Sequence, residues 1–379
     1  MANAGKGINE LLSEVIDQGL CTGCGACITG CPYVVAHAGR VVVLDKCTGT
    51  DGDCYKHCPR TSFDFDAVNE AVFGKAYSGG EFGQVLQVFM TRSKDPEILK
   101  RGQDGGTVTS LLALALEERL IDVAVSTRMD AEKSPHGNLA RSRRELLECA
   151  GSSYEIGFSL EAYRSLPAES TEKLAIVGTG CQVEALGKIK QQPPRNSPDP
   201  RNIAFTLGLF CGWALSPRTF HPYLKTLCDL SQVCRFEIPH TPHYSFDFHF
   251  ENDVDPGSVS LDVIKPHINP GCHYCWDLTA EFSDISIGSA GSAFPGWNTV
   301  LVRTRQGADL FALAAAKGIL ETRTLPEERL KHLKSAALNK KRAAVKKITE
   351  KSGSPKDLLH LGRPTESIAD KLLSRWAII

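Results

Sequence analysis

The residues of this 379-residue chain whose type and spacing could do chemistry are its 14 cysteines. Seven lie within the first 60 positions: Cys21, Cys24, Cys27, Cys31, Cys47, Cys54 and Cys58. The other seven, Cys149, Cys181, Cys211, Cys228, Cys234, Cys272 and Cys275, are spread over the rest. The first run, Cys21-Thr-Gly-Cys24-Gly-Ala-Cys27-Ile-Thr-Gly-Cys31-Pro32, has the C-x2-C-x2-C-x3-C-P spacing whose thiolates wrap a cube of iron and sulfide. Its glycines let the backbone turn tightly and aim N–H groups at the sulfurs. A zinc knuckle would use two separated CxxC pairs or mixed Cys/His sets instead. Iron–sulfur is the expectation.

A second run follows at Cys47-Thr-Gly-Thr-Asp-Gly-Asp-Cys54-Tyr-Lys-His-Cys58-Pro59. It repeats the start and end of the first, but Thr50 stands where a second cysteine would be, and one residue is inserted before Cys54. The fourth cysteine of each run serves the other cluster in two-cluster ferredoxins. Cys21, Cys24, Cys27 and Cys58 are therefore expected to hold a complete [4Fe–4S] cluster. Cys31, Cys47 and Cys54 form a second site one cysteine short. That site could be [3Fe–4S], or [4Fe–4S] completed by Asp51, Asp53, water or a displaced cysteine, or an empty remnant.

Beyond the first module, Cys272-His-Tyr-Cys275 is a CxxC in a loop opened by Pro270 and Gly271. Cys181 follows a strand ending at Gly178-Thr-Gly180, and Cys211 ends another. Strand ends gather on one side of a sheet, so these four can converge on one S4 site for iron–sulfur or zinc. Cys149, Cys228 and Cys234 lack that context and read as buried or incidental thiols. Two glycine-rich loops could take a ligand. Gly102-Gln103-Asp104-Gly105-Gly106-Thr107 opens a helix, where free N–H groups suit phosphate, although a tight helix entry explains it as well. Gly288-Ser-Ala-Gly291-Ser-Ala-Phe-Pro-Gly296-Trp297 would admit a flat ring or diphosphate, with Trp297 able to stack, or is a plain turn.

These groups must be positioned by ordinary elements. Ile8, Leu11, Leu12, Val15 and Ile16 predict an amphipathic helix before the first cysteine. Glycines between Phe73 and Gln84 mark the exit from a ferredoxin-like module. Strands are predicted over Val85–Met90, Asp122–Ser126, Leu174–Gly178, Ile203–Phe210 and Thr299–Thr304, with a helix over Thr107–Arg119. This alternation makes the fold a mixed α/β (α+β) one, with a small ferredoxin-like domain ahead of a larger α/β body. Gln191–Arg201 reads as a proline-broken surface loop. Leu325–Lys351 reads as a helix whose lysines, Lys340 and Lys341 among them, form a solvated face or a contact between subunits. Lys+Arg 43 against Asp+Glu 44 leaves a net charge of −1, which gives no field to recruit nucleic acid. No apolar run long enough to span a membrane occurs, and the N-terminus has no export signal, so a cytoplasmic location is expected.

The stretches RGQDGGTVTSLLALALEERLID, VGTGCQVEALGKI, LGLFC and PGCHYCWDLTAEFSDISIGSAGSAFPGWNTVLVRT resemble the beta subunits of coenzyme F420-reducing hydrogenases and their dehydrogenase relatives, some of which carry a fused two-run ferredoxin module. The resemblance implies a ferredoxin-like domain at 1–78, a flavin-binding body at 79–350 and a tail at 351–379. It implies FAD held by Gln103, Asp104, Gly105, Gly106, Thr107, Gly288, Ser289, Gly291, Trp297 and Asn298, with a [4Fe–4S] cluster on Cys181, Cys211, Cys272 and Cys275. Two to three clusters in all are implied. It further implies coenzyme F420 as hydride carrier and partners of hydrogenase, dehydrogenase or heterodisulfide-reductase-like type. Thr50 and the turn at Ala293-Phe294 depart from the family pattern. A flavin converts hydride into single electrons, so no catalytic acid or base is assigned. Two other functions fit the same cofactors: a ferredoxin-fed reductase of a pigment-like substrate, and a subunit that only passes electrons.

Overall fold

A computed structural model describes residues 5–240, 243–251, 256–354 and 373–374. Most of the predicted tail at 351–379 lies outside these residues. In the first module, β1 (Val34–His37) and β2 (Arg40–Val43) form an antiparallel hairpin. The expected first helix starts at Ile8 and ends at Ile16 in a wider turn, with Asp17 N–H bonded to Leu12 C=O. Ile8, Leu11 and Val15 are its buried stripe, packed with Leu20, Ile28 and Val34 around the cysteines.

The body is built on an eight-stranded sheet. Its members are β3 (Gln87–Ser93), β4 (Val123–Met129), β5 (Pro135–Ala140), β6 (Leu174–Thr179), β7 (Ile203–Leu209), β11 (Ile285–Ser289), β12 (Asn298–Val302) and β13 (Leu320–Thr324). A three-stranded sheet of β8 (Val233–Glu237), β9 (Ser245–Phe250) and β10 (Gly257–Ser260) stands apart. The order across the large sheet is β13-β3-β12-β11-β7-β6-β4-β5, with β4, β6, β7 and β11 mutually parallel.

Strand periodicity explains how that sheet is buried on both faces. On β6, Leu174 and Ile176 join Leu186 and Ile189 of the helix Gly180–Gln191, whereas Ala175 and Val177 join Leu111 and Leu114 of the helix Thr107–Glu117. Each fully buried leucine or isoleucine contributes roughly 1.5–3 kcal/mol. The predicted strands and the Thr107 helix are all present, with ends displaced by a few residues. β5, β8, β10 and β13 carry no alternation strong enough to announce them, whereas β9 (Ser-Phe-Asp-Phe-His-Phe) alternates strictly and is a strand that sequence reasoning missed.

The Gln191–Arg201 segment is a largely exposed proline-broken loop, as expected, with a docking role added. It straps the ferredoxin module: Ser197 donates to Thr29 C=O (2.5 Å) and Arg195 N–H to Asp53 Oδ2 (3.1 Å). One expectation is corrected. The long helix runs over Glu327–Ser352, but its lysines do not all face water. Lys341 is completely buried, paired with Glu281 and lying over the Trp276 ring. Lys340 turns toward the site described below. Both replace solvation by specific partners, a distinction that a lysine count does not carry. Among the described residues no helix is long and apolar enough to cross a membrane.

Candidate redox site

Because β4, β6, β7 and β11 are parallel, their carboxyl ends meet at one edge, where ligands of open α/β sheets bind. A cavity of about 580 Å³ opens there. Ser126 and Thr127 of β4, Val177 to Cys181 after β6, Leu209 to Cys211 after β7 and Gly288 and Ser289 of β11 line it. Antiparallel β12 brings Asn298 to the same edge. The helices Thr107–Glu117 and Gly180–Gln191 both begin on its wall, so two positive helix ends point into one space. The second is closed by a capping box in which Thr179 N–H donates to Gln182 Oε1 at 2.7 Å.

Cys181, Cys211, Cys272 and Cys275 all line this cavity. Each lies within range of the charge of at least one other in the set. Burial pushes the Cys211 thiol up to about 12. Burial also pushes Cys275 up, but Lys340 and Arg60 outweigh it and hold that thiol below its ordinary value. Lys340 donates to the carbonyls of Cys211 and of Asp277 (2.8 Å for the latter). Four sulfur donors, Cys275 buried and the other three partly so, with cations behind them suit a thiolate-held cluster, whose metal core would supply the positive charge that burial withholds.

Among the described residues no three or more Cys, His, Asp or Glu side chains stand close enough together to hold a single metal ion. Cys21, Cys24, Cys27 and Cys58 lie in mutual electrostatic range, and Cys54 groups with Cys31 and Cys47. Between sets, Cys272 lies in electrostatic range of Cys21, Cys181 of Cys24, and Cys27 of Cys54. Thr22 and Gly23, from between the first ligands, themselves line the cavity.

Of the predicted ring-and-phosphate contacts, Gln103, Asp104, Gly106, Thr107, Gly288, Ser289 and Asn298 line the cavity. Gly105 fastens the two loops together. A Cβ there would stand 2.6 Å from Thr91 O and 2.9 Å from Asn298 N, and Asn298 Oδ1 accepts from Thr107 N–H at 3.1 Å. Gly291 and Trp297 do not reach the cavity. Gly291 abuts Arg329, and Trp297 is 6% exposed among Met90, Ala290 and Leu325 with Arg323 stacked 4.1 Å from its ring centroid. Trp297 is thus a core residue of the turn.

Sequence reasoning missed several lining groups. Tyr154 exchanges hydrogen bonds with Gln103 at 2.8 and 3.1 Å, and His240 Nε2 lies 3.1 Å from Asp104 Oδ1. Neither has a local sequence signal, because each meets its partner only through the fold. Cys149 also lines the cavity, accepting from Asn138 Nδ2 at 3.3 Å, whereas Cys228 is half-buried and Cys234 exposed.

Comparison with known proteins decides the lineage. Residues 171–328 match the family model for the C-terminal part of the coenzyme F420 hydrogenase/dehydrogenase beta subunit, and 88–162 match its N-terminal counterpart. Residues 13–59 match a 4Fe-4S dicluster domain. Coenzyme F420 hydrogenase subunit beta of Methanosarcina barkeri is 32% identical over 252 residues, which covers 65% of this chain and 84% of that one. The chain belongs to the coenzyme F420 hydrogenase/dehydrogenase beta-subunit family. Coenzyme F420-dependent sulfite reductase of Methanocaldococcus jannaschii is 28% identical over 79% of this chain, but the match spans only 46% of that protein. In three dimensions the chain is similar to one from the F420-reducing [NiFe] hydrogenase complex of Methanosarcina barkeri, with TM-score 0.66 and 28% identity over 72% of this chain and 94% of that one.

The family's N-terminal match contains the Gly102–Thr107 loop, and its C-terminal match contains all four body cysteines. The dicluster match has only seven cysteines near it, so its second site remains one short. Of the proposed substitutes, the two carboxylates each have one oxygen engaged: Asp51 Oδ2 takes Lys56 Nζ at 2.7 Å, and Asp53 Oδ2 takes Arg195 N–H. If that site is filled, Cys47→Ser lowers bound iron by about three to four atoms per chain and removes one EPR signal. Unchanged iron would show the site to be empty.

Gly271 is where the two modules meet. A Cβ on it would stand 2.3 Å from Cys21 O and 2.6 Å from Cys21 C, while Asn269 Nδ2 donates to Cys21 O at 2.8 Å. Backbone cannot yield as a side chain tip can, so Gly271→Ala separates Cys21 from Cys272. The expected loss is about 1–3 kcal/mol of stability, with slower electron passage between modules in rapid-mixing traces. A wild-type melting temperature and rate would refute that contact's importance.

Proposed function

We propose that this chain is an oxidoreductase subunit that exchanges hydride with coenzyme F420 and single electrons with a partner complex. A flavin such as FAD in the cavity would convert between the two kinds of transfer, and iron–sulfur clusters would carry the single electrons. The observation that carries the reading is that Cys181, Cys211, Cys272 and Cys275 line the cavity, with the set of Cys21, Cys24, Cys27 and Cys58 in electrostatic range of them through Cys21 and Cys24, and Cys54 in range of Cys27 beyond. The relatives named above, hydrogenase beta subunits and an F420-dependent sulfite reductase, support it.

The chain's own residues have defined tasks in this reading. The first turns of the helices at Thr107 and Gly180 offer N–H groups to the phosphates of a dinucleotide. Gly288 leaves room for Phe210, whose ring would lie 2.0 Å from a Cβ there, and so shapes the cavity floor. Gln103 and Tyr154 fix each other, and Asp104 and His240 do the same, so polar groups at the mouth are oriented before a ligand arrives. Lys340 and Arg60 offset the negative charge that clusters bring into a buried space.

The test is anaerobic turnover of the purified full chain with reduced F420 as donor and a viologen dye as acceptor, beside flavin and iron analysis. Rapid oxidation of F420 by protein holding flavin and iron is the expected result. No turnover at full occupancy would overturn the F420 assignment and favour a ferredoxin-fed reductase of another substrate.

A further inference from the structure

One buried cation is accounted for by no ligand and no backbone partner. Arg60, two residues beyond Cys58, is 2% exposed, yet none of its three side-chain nitrogens is paired with an oxygen or nitrogen atom. Its nearest carboxylate oxygen, on Glu184, stands 4.0 Å away, and both Glu184 oxygens are themselves buried without partners. The other interior cations behave differently. Lys188 donates to Cys58 O, Thr61 Oγ1 and Ser62 O at 2.6–2.8 Å, and Lys340 donates to two carbonyls. A guanidinium carries five N–H donors. The Cys275 sulfur accepts from Arg60 and Glu184 stands at 4.0 Å, but the remaining donors meet no acceptor, and a buried guanidinium left so under-partnered costs several kcal/mol.

Position identifies the missing acceptors as sulfur. The Arg60 backbone N–H donates to Cys58 Sγ of the N-terminal set at 3.4 Å, while its side chain reaches Cys275 of the body set and Glu184 of the helix that carries Cys181.

We propose that Arg60 is a positioning residue shared by the body cluster and the adjacent N-terminal cluster, donating N–H groups to the sulfurs of both and holding both reduction potentials up together. The proposal rests on the reading that these two cysteine sets hold clusters. When one electron leaves one cluster and reduces the other, net charge around Arg60 is unchanged, so the shared cation leaves that step nearly level. Hydrogen bonds to cluster sulfur and nearby charge both raise potentials.

Dye-mediated redox titration of the holoprotein, followed by EPR, tests it without F420. Arg60→Gln is expected to shift two of the cluster potentials downward and leave that of the Cys31/Cys47/Cys54 site in place, with Arg60→Lys in between. Potentials unchanged in Arg60→Gln with full iron content would overturn it. Should Arg60→Gln fail to load iron, pulsed EPR on wild-type protein carrying guanidino-15N arginine decides. Hyperfine coupling to both reduced clusters supports the shared contact, and coupling to neither or to one overturns it. Iron too low for a body cluster in wild-type protein would defeat the underlying cluster reading, and that result is distinguishable from unshifted potentials.

Discussion

Cys211→Ser is expected to disconnect the cavity from the N-terminal module while leaving the cavity intact. Cys211 follows β7, its carbonyl is held by Lys340, and its sulfur belongs to the set at the cavity wall. Serine keeps the size and the backbone contacts but is a poor ligand for iron. Under the proposed path, bound iron falls by about four atoms per chain, F420 still reduces the flavin, and the N-terminal clusters no longer follow. Cys21 and Cys24 are in electrostatic range of Cys272 and Cys181, which puts the body set on the proposed route to the N-terminal module. Reduced F420 reaching the N-terminal clusters at the wild-type rate in this variant would refute the order of carriers.

The largest loss of stability is expected at the interior ion pair under the long helix. Lys341 and Glu281 are both essentially unexposed, and Glu281 Oε2 also accepts from Tyr77 Oη at 2.7 Å. Lys341→Met preserves the stem over Trp276 and removes the charge. Unfolding free energy should fall by about 3–5 kcal/mol, the usual penalty for leaving one member of a buried pair. Burial already holds the Glu281 carboxyl above its ordinary value, with Lys341 the chief opposing influence. Without the lysine it rises further. A carboxyl whose folded value exceeds its unfolded value stabilises at low pH and loses that contribution as pH rises through the folded value. The deficit should therefore be greatest near neutrality and shrink toward the ordinary carboxylate range. Chemical denaturation of the variant at both pH values checks the size and the trend.

Much of this site was legible because cysteine spacing is covalent grammar: ligands three residues apart stay close whatever surrounds them. Cys21, Cys24, Cys27 and Cys58 needed no tertiary information beyond the ferredoxin pattern. The grouping of Cys181, Cys211, Cys272 and Cys275 needed one step more, the rule that parallel strands end on one side. Gly102–Thr107 was readable from its helix entry. What escaped was set by contacts between distant segments. Trp297 looks like a stacking ring in sequence, yet Met90 and Leu325 enclose it. Lys340 and Lys341 are adjacent in a basic helix, but one helical position decides between cluster set and ion pair. Arg60 is only two residues from a predicted ligand, and its isolation appears only when the body closes over it.

The central claim is that hydride taken at the cavity leaves as single electrons through the cysteine sets. Its most direct test is anaerobic rapid mixing of the holoprotein with one equivalent of reduced F420, followed optically and by freeze-quench EPR. The account predicts oxidation of F420 followed by two electrons on the clusters, reaching the body cluster no later than the N-terminal ones. Oxidation of F420 with the clusters left oxidised, or no oxidation in protein carrying full flavin and iron, would contradict it.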